Sequence, residues 1–248
     1  FTEQQPLAGA PATEATTVYV TVGEDALYIA AQLESSIAPV SRLGPRDRAL
    51  PGAWLHVELD TFGDQRASYR FSVNPAGVQQ DARTTSGRAD MGFDAVWPAE
   101  VERHARGWSV EMAIPFRALR FRDDGGSWGF QITREHEDGS VSRWSPTPQN
   151  AAEPVRHFGR LEGVQPRGGH PVVLRPTLTT RYDSEVEAAA GFDGQIALLE
   201  GVSLDVTVLP DFGQVEADPS QLNLGATELF LAERRPFFAE SGEYLGFF

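Results

Sequence analysis

The chain has 248 residues, of which 41% are hydrophobic and 23% charged, so it is long enough for one large or two modest domains with a sizeable core. Its net charge of −14 disfavours nucleic acids and anionic membrane surfaces as partners, because binding to phosphate groups requires a basic face. The absence of cysteine excludes disulfides, thiolate zinc sites and a cysteine nucleophile.

The first predicted element is a β-hairpin in residues 16–34. Val18 and Val20 alternate with Tyr19 and Thr21, a Gly-Glu-Asp turn follows, and a second alternating run completes the pair. This period of two residues is typical of half-buried strands, because successive side chains point to opposite faces.

The next two predicted strands, residues 53–62 and 67–81, carry polar side chains opposite apolar ones. Trp54 and Glu58 share one face of the earlier strand, and Arg70 lies on the polar face of the later one. We expect Glu58 and Arg70 to bind sugar hydroxyls, or alternatively to form a cross-strand ion pair.

Further strands are predicted in the rest of the first 165 residues. Residues 84–97 lead into a short strand, 107–116 show the clearest alternation, and 127–137 form another strand, while Pro115 opens a single helical turn. About eight short strands with almost no helical periodicity predict an all-β fold. We expect residues 1–165 to form an antiparallel β-sandwich of jelly-roll type.

The sequence changes in character near Gly163, where a Pro- and Gly-containing linker precedes a second β-rich region, residues 166–248. In residues 203–209, Leu204, Val206 and Val208 alternate with polar side chains. Strands of membrane barrels alternate in this way, but so does the edge of a soluble sheet.

Five tryptophans are candidates for stacking on sugar rings. Trp108 and Trp128 lie in apolar stripes, which indicates core positions. Trp54, Trp97 and Trp144 stand beside polar residues, prolines or loops, so each is either a surface platform for sugar or a packing residue.

Asp60 and Asp64 flank Gly63 in a predicted turn and are candidate calcium ligands. Two carboxylates around a tight turn, completed by backbone carbonyls, suit calcium, although a solvated turn has the same pattern. Asp81, Asp90 and Asp94 are weaker candidates of the same type.

The sequence also allows a glycosidase, because three glutamates lie on predicted strands with polar neighbours: Glu58, Glu111 and Glu135. Glycosidases need two carboxylates across a cleft, whereas ion pairs with arginines explain the same residues without catalysis. The sequence lacks a nucleophile elbow, a zinc-binding helix and a phosphate loop, so we expect a non-catalytic protein.

The chain resembles two parts of a known protein family. The stretches FTEQQPLAGAPATEATTVYVTVGEDALYIAAQ, ELDTFGDQRASYRFSVNPAGVQQD, GFDAVW, GWSVEMAIPFRALRF and SWGFQITRE are similar to the carbohydrate-binding family 9-like module. More narrowly, they resemble its version at the N-terminus of a bacterial outer-membrane family of unknown function. The stretch PDFGQVEADPSQLNLGATELFLAERRPFFAE resembles the segment that opens the β-barrel region of that family.

This resemblance implies a saccharide or polysaccharide partner, aromatic contacts to sugar, and structural calcium. It also implies a location in the bacterial cell envelope, at the outer membrane or in the periplasm, and an association with polysaccharide breakdown. No apolar run approaches the length of a membrane-spanning helix, so we expect membrane contact only through a barrel. Three or four strands cannot close a barrel, so we expect the chain to be truncated after the start of that region.

We therefore predict a glycan-binding module followed by an incomplete barrel-like region. Two alternatives remain open. One is a structural or interaction domain of a barrel protein without a sugar site. The other is a hydrolase acting on glycosidic bonds, with Glu111 and Glu135 as the carboxylates to test.

Overall fold

The structure is a computed structural model. It describes residues 1–5, 9–39, 42–48, 50–85, 88–90, 93–122, 126–148, 150–166, 172–183, 185–199 and 202–209. The chain divides into two compact units, residues 1–168 and 169–248. The sequence predicted the boundary at residue 165. The predicted barrel-opening segment, residues 210–248, lies outside the described residues.

Two antiparallel sheets form the described part of the first unit. Its strands are β1 (Thr2–Gln5), β2 (Thr16–Val22), β3 (Ala26–Glu34), β4 (Trp54–Asp60), β5 (Ala67–Val73), β6 (Gln79–Thr85), β7 (Arg88–Asp90), β8 (Ala99–His104), β9 (Gly107–Pro115), β10 (Trp128–Glu135), β11 (Val141–Arg143) and β12 (Gly159–Leu161). The larger sheet has the order β1-β11-β10-β4-β5-β6-β7, with β12 also paired to β10, and the smaller sheet has the order β2-β3-β9-β8.

The two sheets share one hydrophobic core. Strand β3 contributes Leu27 and Ile29 from the smaller sheet, while β4 and β5 contribute Leu55 and Phe71 from the larger one. Alternation along each strand sends these side chains inward and their neighbours outward. This arrangement confirms the predicted antiparallel β-sandwich.

The sequence predicted about eight strands in the first unit, and the described residues of that unit form twelve. The additional strands include β1, β7, β11 and β12, which are three or four residues long. Runs this short contain too few residues to show a two-residue period. The helical turn predicted after Pro115 is present as a 3-10 turn at Phe116–Ala118, and a second spans Pro154–His157.

The second unit contains a three-stranded antiparallel sheet among its described residues. Its strands are β13 (Val172–Asp183), β14 (Glu185–Leu199) and β15 (Val202–Val208), in that order across the sheet. Leu174, Leu178, Phe192 and Leu204 expose apolar side chains. The described part of the chain has no helix long and apolar enough to cross a membrane.

Candidate ligand-binding cavity

A polar cavity lies on the outward side of the larger sheet. It has a volume of about 310 Å³, at the lower end of the range for ligand pockets. Its lining residues are Gln4, Gln5, His56, Glu58, Arg70, Thr133, Glu135, Val141 and Arg143. Because side chains alternate along strands, the outward positions of β4, β5, β10 and β11 face this space while their neighbours fill the core.

Glu58 and Arg70, both predicted from sequence as ligand-binding residues, meet in this cavity. They are direct cross-strand partners of β4 and β5. Arg70 Nε and Nη2 donate to Glu58 Oε1 at 3.3 and 3.2 Å. Thr133 Oγ1 donates to Glu58 Oε2 at 3.3 Å. The pair is thus held rigidly, and Arg70 remains accessible to a ligand from its half-exposed side.

His56 joins two further polar groups beside this pair. Its Nδ1 lies 2.8 Å from Ser72 Oγ. Its Nε2 lies 3.3 Å from Glu135 Oε1 but is not aligned with it for a hydrogen bond. The His56 imidazole is the main cause that lowers the pKa of Glu135; burial opposes this effect, and the charge of Arg70 adds to it. Glu135 is therefore an anion that can accept hydrogen bonds from a ligand.

The three candidate platform tryptophans do not line the cavity. Trp54 and Trp97 are each 3% exposed, so the structure assigns them to packing and corrects the expectation that they stack on sugar. Trp54 Nε1 donates to Leu50 O, in the loop that precedes its strand. Trp97 packs edge-on against Phe71 in the core.

Trp144 is the exposed member of the three, at 42% exposure. Its ring packs edge-on against Phe130 and over Gly159, where any side chain would overlap the indole. Phe130 is a core-facing residue of β10, so Trp144 belongs to a different surface from that of Glu58 and Arg70. A sugar could stack on its free face, but that surface is not the cavity.

The carboxylates proposed for catalysis are not arranged for it. Glu111 is on β9 of the smaller sheet and Glu135 is on β10 of the larger sheet, both at outward positions, so the sandwich separates them. Glu58 shares the cavity with Glu135 but is bound on both oxygens. The lowered pKa of Glu135 also makes it a poor proton donor, whereas a glycosidase acid needs a raised pKa.

Two serine–histidine–carboxylate arrangements occur among the residues that the structure describes, and the serine of each is buried. One joins Ser72, His56 and Glu135. In the other, His136 lies 3.0 Å from both Ser142 Oγ and Glu14 Oε2. Each serine is only 1% exposed, so a substrate cannot reach either hydroxyl in this structure.

The predicted calcium pair is partly suited to a cation. Asp60 is buried, its Oδ2 accepts from the Gln65 backbone N at 2.8 Å, and its Oδ1 has no hydrogen-bond partner among the described residues. Burial raises the pKa of Asp60, and the nearby charge of Asp64 adds to this effect, while backbone hydrogen bonds oppose it. A buried carboxylate with one unpaired oxygen and a second carboxylate nearby fits a bound cation.

A second acidic cluster consists of Asp47, Asp81 and Asp94, whose carboxylates approach to within 4.8 Å of one another. Arg46 forms ion pairs with all three, with Nη2 2.5 Å from Asp81 Oδ1 and Nε 3.4 and 3.7 Å from Asp47 and Asp94. This single guanidinium offsets part of the negative charge of the cluster, and burial raises the pKa of Asp81. The side chain of Asp90 lies outside the described residues.

Sequence reasoning missed several cavity residues. Thr133 lies opposite the apolar stripe of its strand, so its outward position could have been inferred from alternation. Gln4, Gln5 and Arg143 have no such signal, because they lie in strands of three or four residues.

Comparison with known proteins finds one family match by sequence and several matches by fold. Residues 173–245 match a family described as a domain of unknown function, DUF5916. That match falls within the second predicted region. None of the curated proteins matches the chain.

Three solved structures resemble the chain. A Bacteroides uniformis ATCC 8492 protein for which carbohydrate binding has been inferred is 15% identical, with a TM-score of 0.51, covering 61% of this chain and 79% of that one. Two others are carbohydrate-binding module family 9 structures from Caldicellulosiruptor kristjanssonii. The one with cellotriose is 16% identical, with a TM-score of 0.46 and coverages of 64% and 80%. The one with glucose is 14% identical, with a TM-score of 0.46 and coverages of 62% and 78%.

Proposed function

We propose that the first unit is a non-catalytic saccharide-binding module whose ligand occupies the cavity on the larger sheet. The observation that carries this proposal is the cavity lining, in which Glu58, Arg70 and Glu135 present charged groups within one space. Sugar hydroxyls both donate and accept hydrogen bonds, so a lining with carboxylates, guanidinium groups and amides suits them. The fold shared with the Bacteroides uniformis protein supports the same assignment.

The expected binding mode is polar rather than stacked. Arg70 donates to hydroxyl oxygens from its exposed side, and Glu135 accepts from hydroxyl hydrogens. Since Val141 is the one apolar residue in the lining, hydrogen bonds must supply most of the affinity. Many of these bonds replace bonds to water, so we expect modest affinity.

Calorimetric titration of the full chain with a panel that includes glucose and cellotriose tests this proposal. Glu58→Gln keeps the shape of the side chain but removes its charge and loosens Arg70. Hydrogen bonds to charged groups contribute about 1.5–3 kcal/mol, so we expect binding to weaken about ten- to a hundredfold. Glu111→Gln is the matched control on the outward face of the other sheet and should bind normally.

The outcome that would overturn the proposal is saturable binding that Glu58→Gln and Arg70→Gln leave unchanged, with both variants folded. Release of sugar fragments during incubation, lost in Glu135→Gln, would instead support the hydrolase alternative. Both variants need a melting curve first, because the pair also links β4 to β5.

A second candidate function, an interaction domain without a sugar site, is favoured by the burial of the tryptophans. Among the five, Trp144 is the exposed one, so no exposed tryptophan pair can clamp a sugar ring. A folded sample that gives no heat with any saccharide of the panel would favour this function.

We also propose the wider setting that the sequence resemblance implies. Calcium, if resident, would be held by Asp60 and Asp64 and would neutralise the buried carboxylate of Asp60. The resemblance of residues 166–248 to the start of an outer-membrane barrel region supports a location in the bacterial cell envelope. Fractionation of the native host with an antibody against the first unit tests that location.

A further inference from the structure

One charged residue of the cavity lining lacks a partner of opposite charge among the described residues. Arg70 is paired with Glu58, and Glu135 lies against His56. Arg143 also lines the cavity, but it has no carboxylate within ion-pair distance among the described residues. An arginine without a carboxylate partner in a cavity is unusual in a chain with a net charge of −14.

Three buried polar atoms in the same lining lack hydrogen-bond partners among the described residues. His56 Nε2 is one of them, and it lies beside Glu135. The other two are Arg143 Nε, a donor, and Gln4 Oε1, an acceptor on a residue that is 5% exposed. A buried polar atom without a partner lowers stability, so such atoms call for a partner that binds there. The donor on Arg143 suits a ligand group that accepts a hydrogen bond, and the acceptor on Gln4 suits a hydroxyl. Together they indicate a ligand that carries both groups.

The backbone around these two residues places both of them at the cavity. Arg143 is fixed in β11, with Thr133 and Thr2 as its cross-strand partners. The pairing of β1 with β11 shifts register between Glu3 and Gln5. Such a bulge lets two consecutive side chains reach the same space, and here both Gln4 and Gln5 line the cavity.

We propose that the cavity is specific for an acidic sugar, a uronic acid residue, whose carboxylate binds Arg143. A guanidinium matches a carboxylate through two parallel hydrogen bonds, and Arg143 is the arginine in the cavity that no carboxylate of the described residues pairs with. Gln4 Oε1 accepts a hydrogen bond from a ring hydroxyl of the same sugar. The remaining hydroxyls bind Arg70 and Glu135, as in the proposed saccharide-binding function, on which this inference rests.

Glucose and glucuronate are the matched probes, because they differ only in a hydroxymethyl group against a carboxylate. Titrated into the full chain, glucuronate should bind about ten- to a hundredfold more tightly than glucose, as expected for a charge-assisted pair. Arg143→Gln should remove that preference, because it takes away the guanidinium that pairs with the carboxylate. Arg156→Gln, which lies outside the cavity, is the control.

The possible results separate this inference from the function on which it rests. Equal binding of both sugars, weakened by Glu58→Gln, would overturn the acidic-sugar specificity and keep the saccharide site. A preference for glucuronate that survives in folded Arg143→Gln would overturn the role of Arg143. Acetate that competes as well as glucuronate would show an anion site that does not recognise sugar. Absence of binding by either sugar would overturn both proposals.

Discussion

Arg134 offers the sharpest test of how the sandwich is held together. It lies on β10 at 0% exposure, among the core-facing positions. Its Nη2 donates to Glu14 Oε2 at 3.1 Å and to Glu34 O at 2.5 Å, and its Nη1 donates to Thr16 Oγ1 at 2.9 Å. One buried guanidinium thus ties β10 of the larger sheet to β2 and β3 of the smaller one.

Arg134→Met fills similar space but leaves the Glu14 carboxylate and the Glu34 carbonyl without this donor. Removing one partner of a buried ion pair costs about 3–5 kcal/mol. Glu14 keeps hydrogen bonds from Ser36 and a contact to His136, so we expect the lower end, about 3 kcal/mol. That is a large part of the 5–15 kcal/mol that typically stabilises a native protein, and it corresponds to about 6–12 °C in Tm.

Urea unfolding followed by tryptophan fluorescence measures this loss, because Trp108 and Trp128 are buried in the core. Arg156→Met, on an exposed ion pair, is the control and should change stability by less than about 0.5 kcal/mol. A loss below about 1 kcal/mol in Arg134→Met would refute the argument that a buried charge has been stranded. Glu14→Gln combined with Arg134→Met should recover part of the loss, because the stranded carboxylate is then neutral.

The same network gives a pH dependence with a defined sign. Burial opposes ionisation of Glu14, but hydrogen bonds from Ser36 and His136 and the charge of Arg134 outweigh it, so its pKa is lowered. The stability that Glu14 contributes is therefore present above its ordinary pKa of about 4.3 and is lost as pH falls through the lowered value. In Arg134→Met the pKa of Glu14 is lowered less, so that loss should be smaller and should be complete at a higher pH.

Three further predictions concern residues outside the cavity lining. Gly159→Ala should displace the Trp144 indole and increase its quenching by acrylamide, since a β-carbon there overlaps the ring. Trp97→Phe removes the hydrogen bond from Nε1 to Asp81 and should cost about 1–2 kcal/mol without changing saccharide affinity. The pKa of Asp60 is raised in the folded protein. The free energy of unfolding of the wild type should therefore fall as the pH rises through that raised pKa. Asp60→Asn should abolish that fall, and calcium should raise the Tm of the wild type but not of this variant.

The sequence allowed Glu58 and Arg70 to be predicted together because both lie on clearly alternating strands. Once β4 and β5 pair as neighbours, alternation alone places the two side chains on one face. The stripe of Trp128, Phe130 and Ile132 extends by the same parity to Arg134, so its inward position was also available from sequence. The sequence did not show that Glu14 is the ion-pair partner of Arg134, since the two residues are far apart in the chain.

The burial of Trp54 and Trp97, in contrast, could not be predicted from the sequence pattern. Polar neighbours suggested that Trp54 and Trp97 were exposed. In the structure a loop covers Trp54, and a segment distant in sequence covers Trp97. Arg46 lies over the Trp97 ring at 5.8 Å, and Asp81 accepts its indole hydrogen bond. A periodic pattern reports which face of a strand a residue occupies, but not what else covers that face.

Local alternation by itself therefore determined the all-β class and the strand faces, including the faces that carry Glu58 and Arg70. These properties depend on the two-residue period of a strand, which the longer strands display locally. The tertiary structure alone decided that Arg143 and Gln4 enter the same cavity as that pair, and that the cavity rather than a tryptophan surface is the candidate site. Those properties depend on a register shift in β1 and on contacts between residues far apart in the chain, and no local pattern encodes either of them.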